Sequence, residues 1–196
     1  MMLPEEAAAA ACALLRRACV GRDVIVAAID GAGGAGKSTL AAGIRAALEV
    51  AVSIVPADDF YRPLPNDQRV ALDPRHGYEN YFDWRRMRDH AMVPLSARRA
   101  ARYRRYDWST DRLAEWIEVA PARVVIVEGV YSTRPELRAL LDAAIFIDTP
   151  REERLRRMRS RGQNAGGWIE RWMAAEDWYL ENIQPMRHAQ LVLAGL

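Results

Sequence analysis

Apolar residues fall along this chain in two kinds of run. Short blocks of three to six, rich in β-branched side chains, lie at residues 24–29, 52–55, 124–127, 144–147 and 191–193. Blocks this short and, apart from Ser53, apolar throughout predict strands buried on both faces, as in a parallel sheet. Between them, apolar positions recur at three- and four-residue spacing. That pattern predicts an N-terminal helix ending near residues 20–21, a helix from the first strand to about residue 49, and helices at 84–91, 95–105, 135–141, 151–161 and 165–182. A small strand at 116–119 precedes Pro121, and residues 62–82, with Pro63, Pro65, Pro74 and Gly77, read as loop. Strands alternating with helices imply right-handed crossovers. The predicted fold is therefore α/β, a three-layer α/β/α domain over residues 1–196 with a mainly parallel sheet.

Composition removes several classes. Glu5 and Glu6 precede the apolar stretch at residues 7–15, where a secretory leader would carry positive charge. That stretch is also far short of the ~20 residues that span a bilayer. Cys12 and Cys19 sit on one predicted helix about 10 Å apart, too far for a disulfide. The expectation is a soluble, cytoplasmic chain. Lys+Arg 28 against Asp+Glu 26 gives net +2, too even for a protein that wraps a polyanion. Of those 28 basic residues, only Lys37 is a lysine. A GC-rich coding bias accounts for so much arginine, which makes the one exception informative. A lone lysine also rules out the N-K-x-D motif by which GTPases read their base, since that motif needs a second one.

Lys37 lies in Gly31-Ala32-Gly33-Gly34-Ala35-Gly36-Lys37-Ser38-Thr39. This is the complete G-x-x-x-x-G-K-S pattern of a phosphate-binding P-loop, between a predicted strand and a predicted helix. Glycines let successive N–H groups curl around phosphate oxygens at a helix N-terminus that favours anions. Lys37 is placed to reach the β- and γ-phosphates, and Ser38 to ligate Mg²⁺. In such sheets function gathers at the carboxyl ends of strands. Asp58, after the second strand, is a candidate base for an acceptor hydroxyl, with Asp59 as its competitor. Glu128, closing the 124–127 strand, is a candidate for holding Mg²⁺. Residues 151–161 carry six arginines in eleven positions. After a P-loop these suit a small helical lid, residues 151 to about 165, delivering arginine to the transferring phosphoryl group.

These residues resemble the uridine kinase-like family of P-loop kinases, whose relatives include phosphoribulokinase and pantothenate kinase. The resemblance runs from about residue 22 to 194. It rests on Gly31–Thr39, Asp58-Asp59-Phe60-Tyr61, Val127-Glu128-Gly129-Val130-Tyr131, Ile145-Phe146-Ile147-Asp148-Thr149-Pro150, Arg154-Leu155-Arg156-Arg157 and Ala189-Gln190-Leu191-Val192. It implies a P-loop NTPase-type fold, ATP and Mg²⁺ as cofactors, Asp58 as base, Glu128 on Mg²⁺, and Arg157 and Arg161 over the phosphates. It also implies that Tyr61 and Tyr106 line the acceptor site, and that Glu79 or Asp83 faces sugar hydroxyls. The sequence departs from the family on the acceptor side. Its Asp-His-Pro segment is contracted, its lid ends Arg161-Gly162, and Asp111 stands near where a histidine is usual.

The expected activity is ATP-dependent phosphorylation of a small-molecule hydroxyl, with a nucleoside favoured over a pantothenate-like, sugar or vitamin alcohol. The rival from another class is a nucleotide-dependent switch or RNA-associated ATPase. Residues 98–105, five arginines around Tyr103, could form an RNA-contacting strip. Near-zero net charge favours sugar-phosphate or solvent contact instead. Trp168, Trp172 and Trp178 read as a core stripe. His76, His90 and His188 have no metal-ligand spacing. The acceptor and the oligomeric state stay open, a homo-oligomer included.

Overall fold

The computed structural model describes residues 3–160 and 167–195. Helix α1 (Pro4–Ala18) precedes strand β1 (Ile25–Asp30), helix α2 (Lys37–Ala47) and strand β2 (Val52–Pro56). A 3-10 turn (Ala57–Phe60) follows, then α3 (Asn66–Val70), α4 (Pro74–Asn80) and α5 (Trp84–Met87). Helix α5 continues through a π-turn (Arg88–Met92) into α6 (Val93–Ser96). Strands β3 (Ala101–Asp107) and β4 (Arg112–Val119) form an antiparallel hairpin apart from the main sheet. The chain then runs through β5 (Val124–Glu128), a 3-10 turn (Pro135–Leu140), β6 (Ala143–Asp148), α7 (Arg151–Ser160), α8 (Trp168–Asn182) and β7 (Leu191–Ala194).

Five strands form one parallel sheet in the order β2-β5-β1-β6-β7. The pleat sends alternate residues to opposite faces. Ile25, Ala27 and Ile29 of β1, with Val124 and Ile126 of β5, pack under α1 and α2. Val26, Val125 and Val127 face the layer built from Trp84, Met87, Met92 and Leu137. This is the three-layer α/β/α arrangement. The N-terminal helix belongs to it: Ala7, Ala11 and Leu15 pack in one cluster with Leu40, Ala41 and Ile44 of α2. Cys12 is buried there, and Cys12 and Cys19 are both free thiols.

Two predicted segments differ. Residues 62–82 are not all loop, because Asp73 caps α4 by accepting from the His76 N–H at 2.9 Å, with Pro74 next. Asp-Pro is a helix-start signal as much as a breaker. Residues 95–105 are not one helix. The helix stops at Ser96, Arg98 turns the chain at φ 59°, and β3 begins at Ala101. The period-two burial of Ala101 and Tyr103 against exposed Arg102 and Arg104 fits a strand. The arginines of that segment are thereby placed along the hairpin, where Arg102 lies over Trp116 and Arg105 pairs with Glu115. Among the described residues, no helix is long and apolar enough to cross a membrane.

Candidate active site

Strand β1 ends in Asp30, and the chain must turn at once to begin the phosphate loop. Gly31 makes that turn at φ +146°, where an added Cβ would lie 2.6 Å from the Ile147 carbonyl oxygen. Only glycine tolerates both the angle and the approach. The loop then delivers Lys37 as the first residue of α2. Lys37 is nearly buried, and its Nζ donates to the Ala32 carbonyl at 2.9 Å, arching back over the loop.

Parallel pairing places Glu128 of β5 beside Ile29 of β1, at the same end of the sheet. There the Ser38 hydroxyl donates to Glu128 Oε1 at 2.9 Å. Burial pushes the Glu128 carboxyl up, and Lys37 opposes that shift. The next residue, Gly129, has φ +151°, and a Cβ there would meet Ala57 Cβ at 2.4 Å. This glycine allows β5 to close on the 3-10 turn that carries Asp58.

Gly33–Thr39, Asp58 and Glu128 line a cavity of about 570 Å³. Asp58 opens into the cavity, yet the surrounding walls desolvate it and raise its pKa, with Lys37 pulling the other way. Asp59 is not among the lining residues. Its carboxylate accepts from Tyr103 Oη at 3.0 Å, and its carbonyl accepts from Arg86 at 3.1 Å. The structure therefore separates the two neighbours: one faces the cavity and the other anchors the hairpin.

The same cavity is also lined by Tyr61, Arg69, Tyr106, Trp108, Asp111, Trp168 and Trp172, the last lying close to Gly33 of the loop. Trp168 and Trp172 stack at 5.4 Å, and Trp108 meets Trp168 edge-on at 6.2 Å. These tryptophans are wall as well as core, a correction to the pure core stripe expected from their spacing. Trp178 remains on the Tyr78 side of the aromatic cluster. Arg69 Nη2 donates to both oxygens of Asp111, at 2.7 and 2.8 Å, and Tyr106 Oη donates to Asp111 Oδ1 at 2.5 Å. Burial acts to raise the Asp111 carboxyl, but these donors outweigh it and hold it below the ordinary carboxylate range.

Glu79 and Asp83 do not reach this cavity. Glu79 lies on α4, paired with Arg75 one turn earlier at 2.9 Å. Asp83 is spent as the cap of α5, accepting from the Arg86 N–H at 3.1 Å. Both carboxylates are consumed by local helix chemistry, which correct-looking spacing could not reveal.

Helix α7 lies against the loop. Arg157 Nη1 donates to the Gly34 carbonyl at 3.2 Å, and its Nε donates to Glu153 at 2.6 Å. Arg161 lies outside the described residues. Arg154 of α7, not singled out for a role from the sequence, is buried. It donates to Glu176 Oε2 at 3.0 Å, and Glu176 Oε1 accepts from the Gly33 N–H at 2.7 Å. Glu176 of α8 thus joins α7 and the phosphate loop one turn beyond Trp172. Arg69 and Glu176 went unnoticed because an arginine in a loop and a glutamate on an amphipathic helix carry no motif.

A serine hydroxyl and a carboxylate within 2.9 Å form a hard-oxygen pair suited to Mg²⁺. Among the described residues, no group of three His, Cys, Asp or Glu could hold a metal unaided. Mg²⁺ commonly takes one or two protein oxygens and completes its shell with phosphates and water. Lys37 tests the phosphate end. Lys37→Arg keeps the charge but replaces a compact ammonium by a planar fork. Misplacement of that kind is expected to lower kcat by about 10²-fold. Wild-type turnover by the variant in an ADP-release assay would contradict the assignment.

Comparisons with known proteins agree with this architecture. Over 162 residues the chain is 33% identical to a uridine kinase of Mycoplasma pneumoniae, covering 77% of this chain and 75% of that one. It is 28% identical over 180 residues to a uridine kinase of Halobacterium salinarum, covering 84% and 77%. In fold it is similar to a possible uridine kinase from Bacillus stearothermophilus, with TM-score 0.76, 22% identity and coverage of 96% and 97%. It is also similar to the D-glycerate 3-kinase of Cryptococcus neoformans, with TM-score 0.60, 15% identity and 86% of each chain covered. A profile of the phosphoribulokinase / uridine kinase family matches residues 26–194, and with the phosphate loop, the paired acids and the parallel sheet already in place, the chain belongs to that family of small-molecule kinases.

Proposed function

We propose that this kinase transfers the γ-phosphoryl group of ATP to a hydroxyl of a nucleoside. The carrying observation is that one cavity is lined by the phosphate loop, by aromatic walls and by Asp58. The names of the sequence relatives support a nucleoside as acceptor.

In this reading the loop amides and Lys37 bind the triphosphate, while Ser38 and Glu128 hold Mg²⁺, which neutralises phosphate charge when bound. Asp58 takes the proton of the acceptor hydroxyl as its oxygen bonds to the γ-phosphorus and the bond to the ADP oxygen breaks. Arg157, with Arg161, serves the phosphate side from the lid. Tyr61 and Tyr106 form walls for the acceptor. The remaining contribution is positioning and electrostatic stabilisation.

The test is ADP release from the purified chain with Mg·ATP across a panel of nucleosides, sugars and vitamin alcohols. ADP release that depends on a nucleoside, with the phosphorylated nucleoside found by mass spectrometry, is the expected result. Full-rate hydrolysis without any acceptor would replace this reading by a nucleotide switch. Dependence on a sugar or vitamin alone would move the acceptor class.

A further inference from the structure

The acceptor pocket has a charge pattern of its own. Asp111 itself adopts the left-handed region, φ 53°, at the turn between β3 and β4. Its side chain is 38% exposed, and it lines the cavity. Oδ1 already accepts two hydrogen bonds, from Arg69 and Tyr106, whereas Oδ2 accepts one, from Arg69. A carboxylate oxygen has two lone-pair sites. Oδ2 therefore keeps one acceptor site while the group is held rigidly.

Arg69 serves Asp111 through one nitrogen. The Nη2 that serves Asp111 also donates to the Leu64 carbonyl at 2.9 Å, and its Nε is buried without a partner. The guanidinium lies 5.5 Å from the Tyr61 ring centroid. Asp111 and Arg69 pair within the lining, so together they leave no net positive charge to attract an anion. Around them Trp108, Trp168 and Trp172 supply flat aromatic surface, which suits a planar ring and also attracts positive charge.

Building on the nucleoside-kinase reading, we infer that Asp111 selects the acceptor: its preferred ring presents an exocyclic amino donor to Oδ2, and it carries no phosphate or carboxylate. A carbonyl at the same ring position would set its lone pairs against the carboxylate. A ring N–H flanked by carbonyls meets the same repulsion from its neighbours. An anionic ring substituent would face Asp111, whose charge already offsets that of Arg69. Arg69 and Tyr106 hold Asp111 in place through their hydrogen bonds, while the Tyr106 ring also walls the cavity.

Cytidine and uridine are the probes, because they differ in an amino against a carbonyl group at one ring position. Orotidine adds a carboxylate to the uridine ring. A hydrogen bond to a charged group contributes roughly 1.5–3 kcal/mol, about 10- to 100-fold. Wild-type kcat/KM is expected to favour cytidine over uridine by at least about 10-fold, with no turnover of orotidine. Asp111→Asn, whose amide offers either a donor or an acceptor, is expected to bring the two nucleosides within about 3-fold, with KM for ATP unchanged. Tyr106→Phe, a milder change, is expected to weaken the preference in part. Equal use of both nucleosides, a preference for uridine, or a preference that survives in Asp111→Asn would each overturn the inference. Should no acceptor be phosphorylated, the kinase reading itself fails. The inference is then decided by titrating cytidine and uridine against the fluorescence of the wall tryptophans, where equal or reversed affinity refutes it.

Discussion

Asp58→Asn is expected to cut acceptor phosphorylation by about 10²–10⁴-fold, the usual contribution of a positioned general base. Affinity for ATP should stay close to wild type. Asparagine keeps the shape at the cavity wall but cannot take the hydroxyl proton. The neighbour supplies the control. Asp59 accepts from Tyr103 and lies outside the cavity lining, so Asp59→Asn should disturb the hairpin rather than the chemical step. If Asp58→Asn retained kcat within tenfold of wild type, or Asp59→Asn lost more, the assignment would be wrong. Acidity gives the same residue a second readout. Desolvation raises the Asp58 pKa, with Lys37 opposing. A base works only when ionised, so activity should be present above that raised pKa and lost as pH falls through it. The acid limb of kcat/KM should therefore lie above the range of an ordinary carboxylate, and should vanish in Asp58→Asn.

The largest effect on stability is expected at a residue that never meets substrate. Asp30, at the end of β1, is completely buried. Its Oδ1 accepts from the N–H groups of Gly31 at 2.7 Å and Tyr131 at 3.1 Å. Its Oδ2 accepts from the Thr133 N–H at 2.9 Å, Thr133 Oγ1 at 2.5 Å and Tyr179 Oη at 2.6 Å. One carboxylate thus ties the phosphate loop to the segment after Glu128 and to α8. Each orphaned buried donor costs about 1–3 kcal/mol, and the costs do not simply add. Asp30→Ala is expected to lose about 4 kcal/mol or more, beyond the common range for one substitution. For a chain of this size that corresponds to a drop in Tm of roughly 10 °C. Asp30→Asn should recover only part, because its NH₂ would face other donors. Calorimetry showing Asp30→Ala within 3 °C of wild type, on the ~10 °C scale just given, would remove this residue from the frame of the site.

Much of the site was legible because P-loop chemistry compresses into adjacent residues. Gly31 to Thr39 follows a β-branched run and opens a helix, and no long-range contact is needed to recognise it. Asp58 and Glu128 were legible by position, since strand ends in a parallel sheet converge on one edge. The acceptor side was less so. Glu79 and Asp83 have suitable chemistry and sit near the expected place, but a one-turn ion pair and a helix cap consume them. Trp168 and Trp172 sit on a core-like stripe, and helical spacing cannot say whether a stripe meets more protein or a cavity. Arg69 and Asp111, 42 residues apart, have no relation until the α3 segment and the β3–β4 turn are brought together.

The opening pattern of short apolar runs was enough for the parallel sheet, because a strand buried on both faces leaves its signature in consecutive side chains. The lone lysine marked the phosphate end for a similar reason: its task is set by a loop of contiguous residues. Tertiary structure alone decided which acids were free. A carboxylate's role depends on whether nearby donors have already satisfied it, and those donors come from elements far apart in the chain. That competition pinned Asp59 to Tyr103, removed Glu79 and Asp83 from the pocket, and left Asp58 and Asp111 facing it.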